Sequence, residues 1–279
     1  VEEQMIIREF DPWKSEMCTC TPKYSLNPYT GCDHCCVYCY ITGYIRNAFY
    51  CRPKENVIEQ VKRELKRIDR KRIVSMANSS DPYPRLEKEL LLTRRVIELF
   101  SRGDIKFQIV TKSDIVLRDI DVLKRSICCV AVTITTVDES IASKLEPGAP
   151  SPARRVEALK ILNNNGIPVS VRIDPIIPGL TDPFEILDEV KFVGHVTAST
   201  LKLRPDAVKR MTKVFPDVTE RLKLLCTERI GNAMYLPADM RAELLGALKE
   251  RCQEYGISFG SCREGFVSEK SCDGSHLIG

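Results

Sequence analysis

Between residues 26 and 205 short β-branched runs alternate with amphipathic segments, and that alternation leaves the chain few ways to fold. Strands are predicted at residues 72–77, 106–111, 128–135, 168–173 and 200–204, after a first short strand leading to residue 32. Between them, residues 57–68 and 90–100 keep apolar side chains three and four apart, as helices packed on a sheet do. Ser151-Pro152 and Asp182-Pro183 each set a capping side chain before a first-turn proline, and Asn164-Asn165-Gly166 supplies a left-handed stop. Six βα units fit, and they predict a parallel sheet with right-handed crossovers. The expected fold is α/β: a partial (β/α)6 TIM-like barrel with N- and C-terminal extensions. A doubly wound open sheet is the alternative, but no GxGxxG follows the first strand, so it lacks a dinucleotide phosphate loop. The 279 residues read as a single domain, with its core at about residues 26–205 and a C-terminal extension over about 206–279.

Parallel α/β folds bind ligands at the carboxyl ends of their strands. Here those ends are polar: Asn78-Ser79-Ser80-Asp81, Thr111-Lys112, then Thr133, Thr135 and Thr136, then Arg172 and Asp174, then Lys202 and Arg204. At any single strand such residues are solvated loop. In succession along one rim they mark a site.

Onto the same rim the first strand delivers Cys32, Cys36 and Cys39, a CxxxCxxC triplet among the chain's 13 cysteines. Three thiolates on one loop can hold three irons of a cubane cluster and leave the fourth open to chemistry. Zinc would need a fourth ligand, and Cys35 or His34 is poorly spaced to provide it. Glu2, Glu3, Arg8 and Glu9 stand where an export signal would be apolar, and no apolar run approaches the roughly 20 residues that span a bilayer. A cytoplasmic protein without a membrane partner is expected, its clustered cysteines serving metals rather than disulfides. Cys128, Cys129, Cys226 and Cys252 read as packing.

The triplet, with Tyr38 before its last cysteine, resembles the signature of radical S-adenosylmethionine (SAM) enzymes. Asn27-Pro28-Tyr29-Thr30-Gly31-Cys32 and Tyr38-Cys39-Tyr40 are similar to the spore photoproduct lyase branch. Ser79-Ser80-Asp81-Pro82, Thr111-Lys112, Glu146-Pro147-Gly148 and Arg172-Ile173-Asp174-Pro175 continue the similarity in order, over about residues 27–204. The resemblance implies a [4Fe-4S] cluster on Cys32, Cys36 and Cys39, SAM at its open iron, and a 5′-deoxyadenosyl radical that takes hydrogen from a substrate. It also implies a low-potential electron donor such as ferredoxin or flavodoxin. Tyr38 would then lie against the adenine, Ser80 and Asp81 would accept from the methionyl ammonium, and Lys112 or Arg172 would neutralise the carboxylate. Thr133 would sit near the nucleoside.

One departure matters. Where spore photoproduct lyase carries the cysteine that returns hydrogen to its product, the alignment puts Asn78, which cannot easily donate hydrogen to carbon. Cys51 and Tyr40 are the candidates for that donor or relay. The net charge of +4 permits an anionic partner without requiring one, and Lys202, Arg204, Lys209, Arg210 and Lys213 form a local basic stretch, so a nucleic-acid substrate is left open. Cys18-Thr19-Cys20, Cys262 and Cys272-Asp273-Gly274-Ser275-His276, the last similar to the CDGSH signature of small two-iron proteins, suggest an auxiliary iron–sulfur cluster or metal site pairing the two ends of the chain across the barrel mouth. The competing reading of that tail is a lid in which Gly274 turns and His276 hydrogen-bonds locally. For the whole chain, the rival is a nucleic-acid-binding or electron-transfer iron–sulfur protein without radical catalysis.

Overall fold

The structure is a computed structural model that describes residues 5–10, 17–76, 79–266 and 268–279, so Asn78 lies outside the described residues. One sheet runs in the order β1 (Arg8–Glu9), β2 (Tyr24–Leu26), β3 (Val74–Met76), β4 (Phe107–Thr111), β5 (Cys128–Thr133), β6 (Val169–Ile176), β7 (His195–Thr200) and β8 (Ser258–Ser261). All neighbours from β2 to β8 are parallel, and β1 pairs antiparallel at the edge. The architecture is therefore an α/β partial barrel whose two edges are not paired with each other among the described residues.

Two expectations need correction. The strand predicted at 200–204 lies at His195–Thr200 instead, which moves Lys202 and Arg204 off the strand and into the loop beyond it. The segment past residue 206 is more than an appendage, because β8 extends the parallel sheet through its pairing with β7.

Helix boundaries follow local chemistry. Ser151 caps Pro152–Asn164 by accepting from the Arg154 amide at 3.5 Å, and Asp182 caps Pro183–Glu189 by accepting from Phe184 N at 2.9 Å. Asp138 caps Glu139–Leu145 in the same way, through Ser140 N at 2.7 Å and Ile141 N at 3.0 Å.

Side chains alternate across the strands. One face sends Val74, Met76, Phe107, Ile109, Val130, Val132, Val171, Ile173, Val196 and Ala198 into the helix-packed core. The residues between them, Ser75, Gln108, Cys129, Ser170, His195 and Thr197, are small or polar and nonetheless buried. Part of what buries them is the C-terminal tail. Gln108 Nε2 donates to the Asp273 carbonyl at 2.6 Å, Gly274 turns at φ +82° against Ser170 and His195, and Asp273 forms a buried ion pair with Lys23. These partners lie near the amino ends of their strands. The tail is thus a plug in the barrel floor, whereas both the metal site pairing the chain's ends and the competing lid were expected at the mouth; Gly274 does turn and His276 does bond locally.

Burying Lys23 and Asp273 costs each its hydration, which their mutual attraction offsets only while both remain. Asp273→Asn is therefore expected to lower the unfolding free energy by about 3–5 kcal/mol in urea titrations.

Candidate active site

The cysteine loop is held open by its own backbone. A short antiparallel hairpin, Tyr29–Thr30 against Arg52–Pro53, brings the chain in. Gly31 then turns at φ +77°, where a Cβ would run into the Tyr50 carbonyl, and the Cys32 amide donates to Ala48 O at 2.8 Å. The far side is clamped by Arg210 on the helix Pro205–Val214, whose guanidinium donates to Val37 O at 3.0 Å and Cys39 O at 2.6 Å. Within the basic stretch, Arg210 and Lys202, which donates to Thr200 O at 3.3 Å, are thus engaged by backbone carbonyls, while Lys209 and Lys213 are exposed.

From the other side comes Glu146-Pro147-Gly148. Helix Glu139–Leu145 ends at Glu146, Pro147 cannot extend it, and Gly148 donates to His34 O at 2.9 Å. A Cβ on Gly148 would collide with the Asp33 carbonyl. Glu146 itself is buried. It accepts from Tyr38 Oη and from Arg155 Nη1 at 2.5 Å, and Lys112 Nζ lies 3.7 Å away. Burial works against its charge, but Arg155 and Lys112 outweigh that and hold the carboxyl down at about 2. The tyrosine between two cysteines of the triplet is thereby pinned to the barrel.

The thiols face donors. The amides of His34 and Asp81 bond to the Cys32 sulfur and that of Ile41 to the Cys39 sulfur, contacts that favour a thiolate. Burial raises all three thiols, Cys36 to about 12, while Lys112 opposes the rise at Cys36 and Cys39. Among the described residues only Cys32, Asp33 and His34 bring three potential ligand atoms within 4.8 Å of one another, so the triplet's three sulfurs do not all lie within that distance. The spread and the amide donors fit a cluster.

Around the triplet the rim divides its work. Asp81 accepts from Thr111 Oγ1 at 2.6 Å, Tyr83 N at 2.9 Å and Lys112 N at 2.8 Å, and sits 3.0 Å from His34 Nε2. Three hydrogen bonds and the His34 contact fall on its two oxygens, so Asp81 ties strand ends together. The neighbouring Ser80 Oγ is buried and has no partner among the described residues. Thr133 is buried at the end of β5, and its carbonyl accepts from Arg155 Nη1 at 3.2 Å. Arg172 donates to Asp174 Oδ2 at 2.6 Å and also hydrogen-bonds to Cys262.

Of the two proposed hydrogen donors, Tyr40 is partly exposed and within electrostatic reach of Cys39, Asp174 and Cys262 at the mouth. Cys51 is buried on the other side, near Asp33 and Asp81, its thiol pushed up to about 12 by burial and those carboxylates. Cys18, Cys20 and Cys272 gather separately, while His276 does not join them: Ser271 Oγ occupies its Nδ1 at 2.7 Å and Ser258 Oγ its Nε2 at 3.0 Å. The roles of Glu146, Arg155 and Arg210 had no signal in the sequence beyond the Glu-Pro-Gly string.

A family model described as the radical SAM superfamily matches residues 26–192. The chain belongs to the radical SAM superfamily. It is 36% identical over 176 residues to an uncharacterized protein of Methanocaldococcus jannaschii, covering 61% of this chain and 66% of that one. It is also 25% identical over 254 residues to a radical SAM Nα-GlyT isomerase of Pseudomonas phage M6, covering 85% of this chain and 53% of the phage protein. The alignments therefore span less than two thirds of these curated relatives. Spore photoproduct lyase complexed with a dinucleoside spore photoproduct has a similar fold, with TM-score 0.66 at 18% identity over 96% of this chain and 81% of that one. Streptococcus suis SuiB bound to S-adenosylmethionine follows at TM-score 0.56 and 14% identity, over 85% and 49%. As in the radical SAM family at large, a [4Fe-4S] cluster and SAM are implied. No helix among the described residues is long and apolar enough to cross a membrane.

Two variants test this frame. Gly148→Ala should displace the Asp33–His34 backbone and abolish iron incorporation at the triplet, measured as iron and sulfide per chain after anaerobic reconstitution. Because the Glu146 carboxyl is depressed in the folded state, its contribution to stability is complete above about pH 4.5 and is lost as pH falls toward about 2. Unfolding curves of wild type should converge on those of Glu146→Gln across that window.

Proposed function

We propose that the chain is a radical SAM enzyme of the spore photoproduct lyase type, with Cys32, Cys36 and Cys39 holding a [4Fe-4S] cluster and the rim of β3 to β6 holding SAM. The observation that carries this reading is the unpartnered Ser80 hydroxyl, buried next to the residue whose amide bonds to the Cys32 sulfur. When bound, the cluster and SAM supply a 5′-deoxyadenosyl radical that abstracts hydrogen from the substrate.

The chain's own residues bind, orient and shield. Ser80 Oγ accepts from the methionyl ammonium, the role first expected of Ser80 and Asp81 together. Lys112 offers the cation for the carboxylate, since its contact to Glu146 at 3.7 Å leaves N–H donors available. Its charge is secure: burial opposes it, but Glu146 and Cys36 raise its pKa nonetheless. Arg172, already bonded to Asp174 and Cys262, is the second candidate. Tyr38 walls the site near the nucleoside with Thr133, and Tyr40 is the hydrogen relay better placed at the mouth. Ferredoxin or flavodoxin would supply the electron.

A nucleic acid is the substrate class to test first, because the spore photoproduct lyase of similar fold was captured with a dinucleoside spore photoproduct. The decisive assay incubates reconstituted protein with reductant and SAM. Wild type should release 5′-deoxyadenosine and Cys36→Ala none; a reducible [4Fe-4S] cluster with no product above that control would sink the proposal. Ser80→Ala and Lys112→Met should each weaken SAM binding about tenfold, in line with loss of one hydrogen bond to a charged group, as read by equilibrium dialysis.

A further inference from the structure

The cysteines that the radical site leaves unused are not scattered. Cys20 Sγ lies 3.2 Å from Cys272 Sγ, although 252 residues separate them. Cys18 hydrogen-bonds to Cys20 through its side chain and accepts from the Cys20 amide as well. Cys262, the residue after β8, is within electrostatic reach of Cys18. Four thiols from three segments thus lie in one neighbourhood, with Cys20 and Cys272 in contact, Cys18 bonded to Cys20 and Cys262 turned toward Arg172, and none belongs to the CxxxCxxC loop.

The surroundings hold these segments in place. The Gly265 amide donates to Met17 O at 3.3 Å, tying the strand-following loop to the Cys18–Cys20 segment. Gly260 on β8 packs so closely on the tail that a Cβ there would lie 2.7 Å from Cys272 Cα. Next to Cys272, the Asp273 side chain is fixed by Lys23 and the Asp273 carbonyl by Gln108. A third group, the Cys262 amide, donates to Ala198 O at 2.8 Å on β7.

We propose that Cys18, Cys20, Cys262 and Cys272 form a mononuclear four-thiolate metal site that binds Zn²⁺ and staples the two open edges of the partial barrel. Cys20 precedes β2, the strand next to the β1 edge, and Cys262 follows β8 at the other edge. A tetrahedral ion with bonds of about 2.3 Å holds its sulfurs about 3.8 Å apart. The Cys20–Cys272 pair is near that spacing, whereas a cluster, with irons and sulfides between its ligands, needs thiolates much further apart. A single ion is therefore favoured over an auxiliary iron–sulfur cluster. No three of the four sulfurs lie within 4.8 Å of one another, so ligation draws the Cys18 and Cys262 side chains inward, the latter away from Arg172. The amide of Cys20 pointing at the Cys18 sulfur is the kind of donor that steadies a metal-bound thiolate. As the ion enters, each thiol gives its proton to solvent and its sulfur lone pair to the metal.

The test uses the full chain with Cys32, Cys36 and Cys39 changed to Ala, so that the radical site takes up nothing. After chelation and anaerobic dialysis against ZnCl2 under reductant, this protein should carry one zinc per chain by elemental analysis. Adding Cys20→Ser and Cys272→Ser should remove it, while adding Cys128→Ala should not. Because those variants could fail to fold, alkylation of the otherwise unaltered wild type is mapped by mass spectrometry with and without zinc. Cys18, Cys20, Cys262 and Cys272 should lose at least tenfold in labelling rate when zinc is present, and Cys226 should be unchanged. Zinc-independent labelling of those four residues, iron and sulfide in place of zinc after reconstitution of the triple variant, or a Cys20–Cys272 disulfide that persists under reductant would each overturn the proposal. Loss of SAM cleavage has no bearing on these readouts, so failure of the enzymatic reading remains distinguishable.

Discussion

A single buried carboxylate organises the site. Glu146 is shared by Arg155 beneath it, Lys112 beside it and the Tyr38 hydroxyl above it, so the cysteine loop, β4 and the helix Pro152–Asn164 all meet at one pair of oxygens. An isolated carboxylate at that depth would be too costly, and two cations with a phenol make it tolerable. The geometry is also restrictive. Pro147 and Gly148 follow at once, so the residue that anchors Tyr38 immediately precedes the turn that lets the Asp33–His34 backbone approach. Removing any one partner leaves the others charged or unpaired in a dry setting, which ties the shape of the loop to the integrity of the barrel.

The sheet divides its labour by face. Val, Ile and Phe go outward to the helices, while Ser75, Gln108, Cys129, Ser170, His195 and Thr197 turn inward, where hydroxyls, amides and imidazole rings replace a hydrocarbon core. Toward the carboxyl ends this lining grades into Thr133, Arg172 and Asp174. Toward the amino ends it meets the tail, whose backbone and Asp273 satisfy some of its donors. His195 illustrates the setting: burial, reinforced by the nearby His276, lowers its pKa to about 3 and keeps the ring neutral.

Much of this was legible in the sequence. The β-branched runs marked β3 to β6 because a strand covered on both faces is rich in Val and Ile, and the Cys-x3-Cys-x2-Cys string identified the loop without help from geometry. The misplaced strand shows where pattern fails. Residues 201–204, Leu-Lys-Leu-Arg, alternate as an exposed strand should, whereas the true strand His195–Thr200 is wholly buried yet carries histidine, serine and threonines that read as loop. Similarly, β8 is four residues long and includes a glycine, which gives periodicity nothing to count. The engagement of Asp81, Glu146 and Arg210 was invisible for another reason: a charged residue in a connection is ordinarily solvated, and only the distant segments that cover it reveal otherwise.

The plug in the barrel floor has a kinetic meaning. Asp273 closes on Gln108 across 165 residues and on Lys23 across 250, so contacts that complete the interior are among the most distant the chain makes. During synthesis the strands from β2 to β7 emerge long before the segment that neutralises Lys23 and caps Gln108. Until then the nascent barrel must keep those groups wet. Its inner lining of small hydroxyls and amides, which gives a poor hydrocarbon core, is well suited to that wait, since water can occupy it and later be expelled.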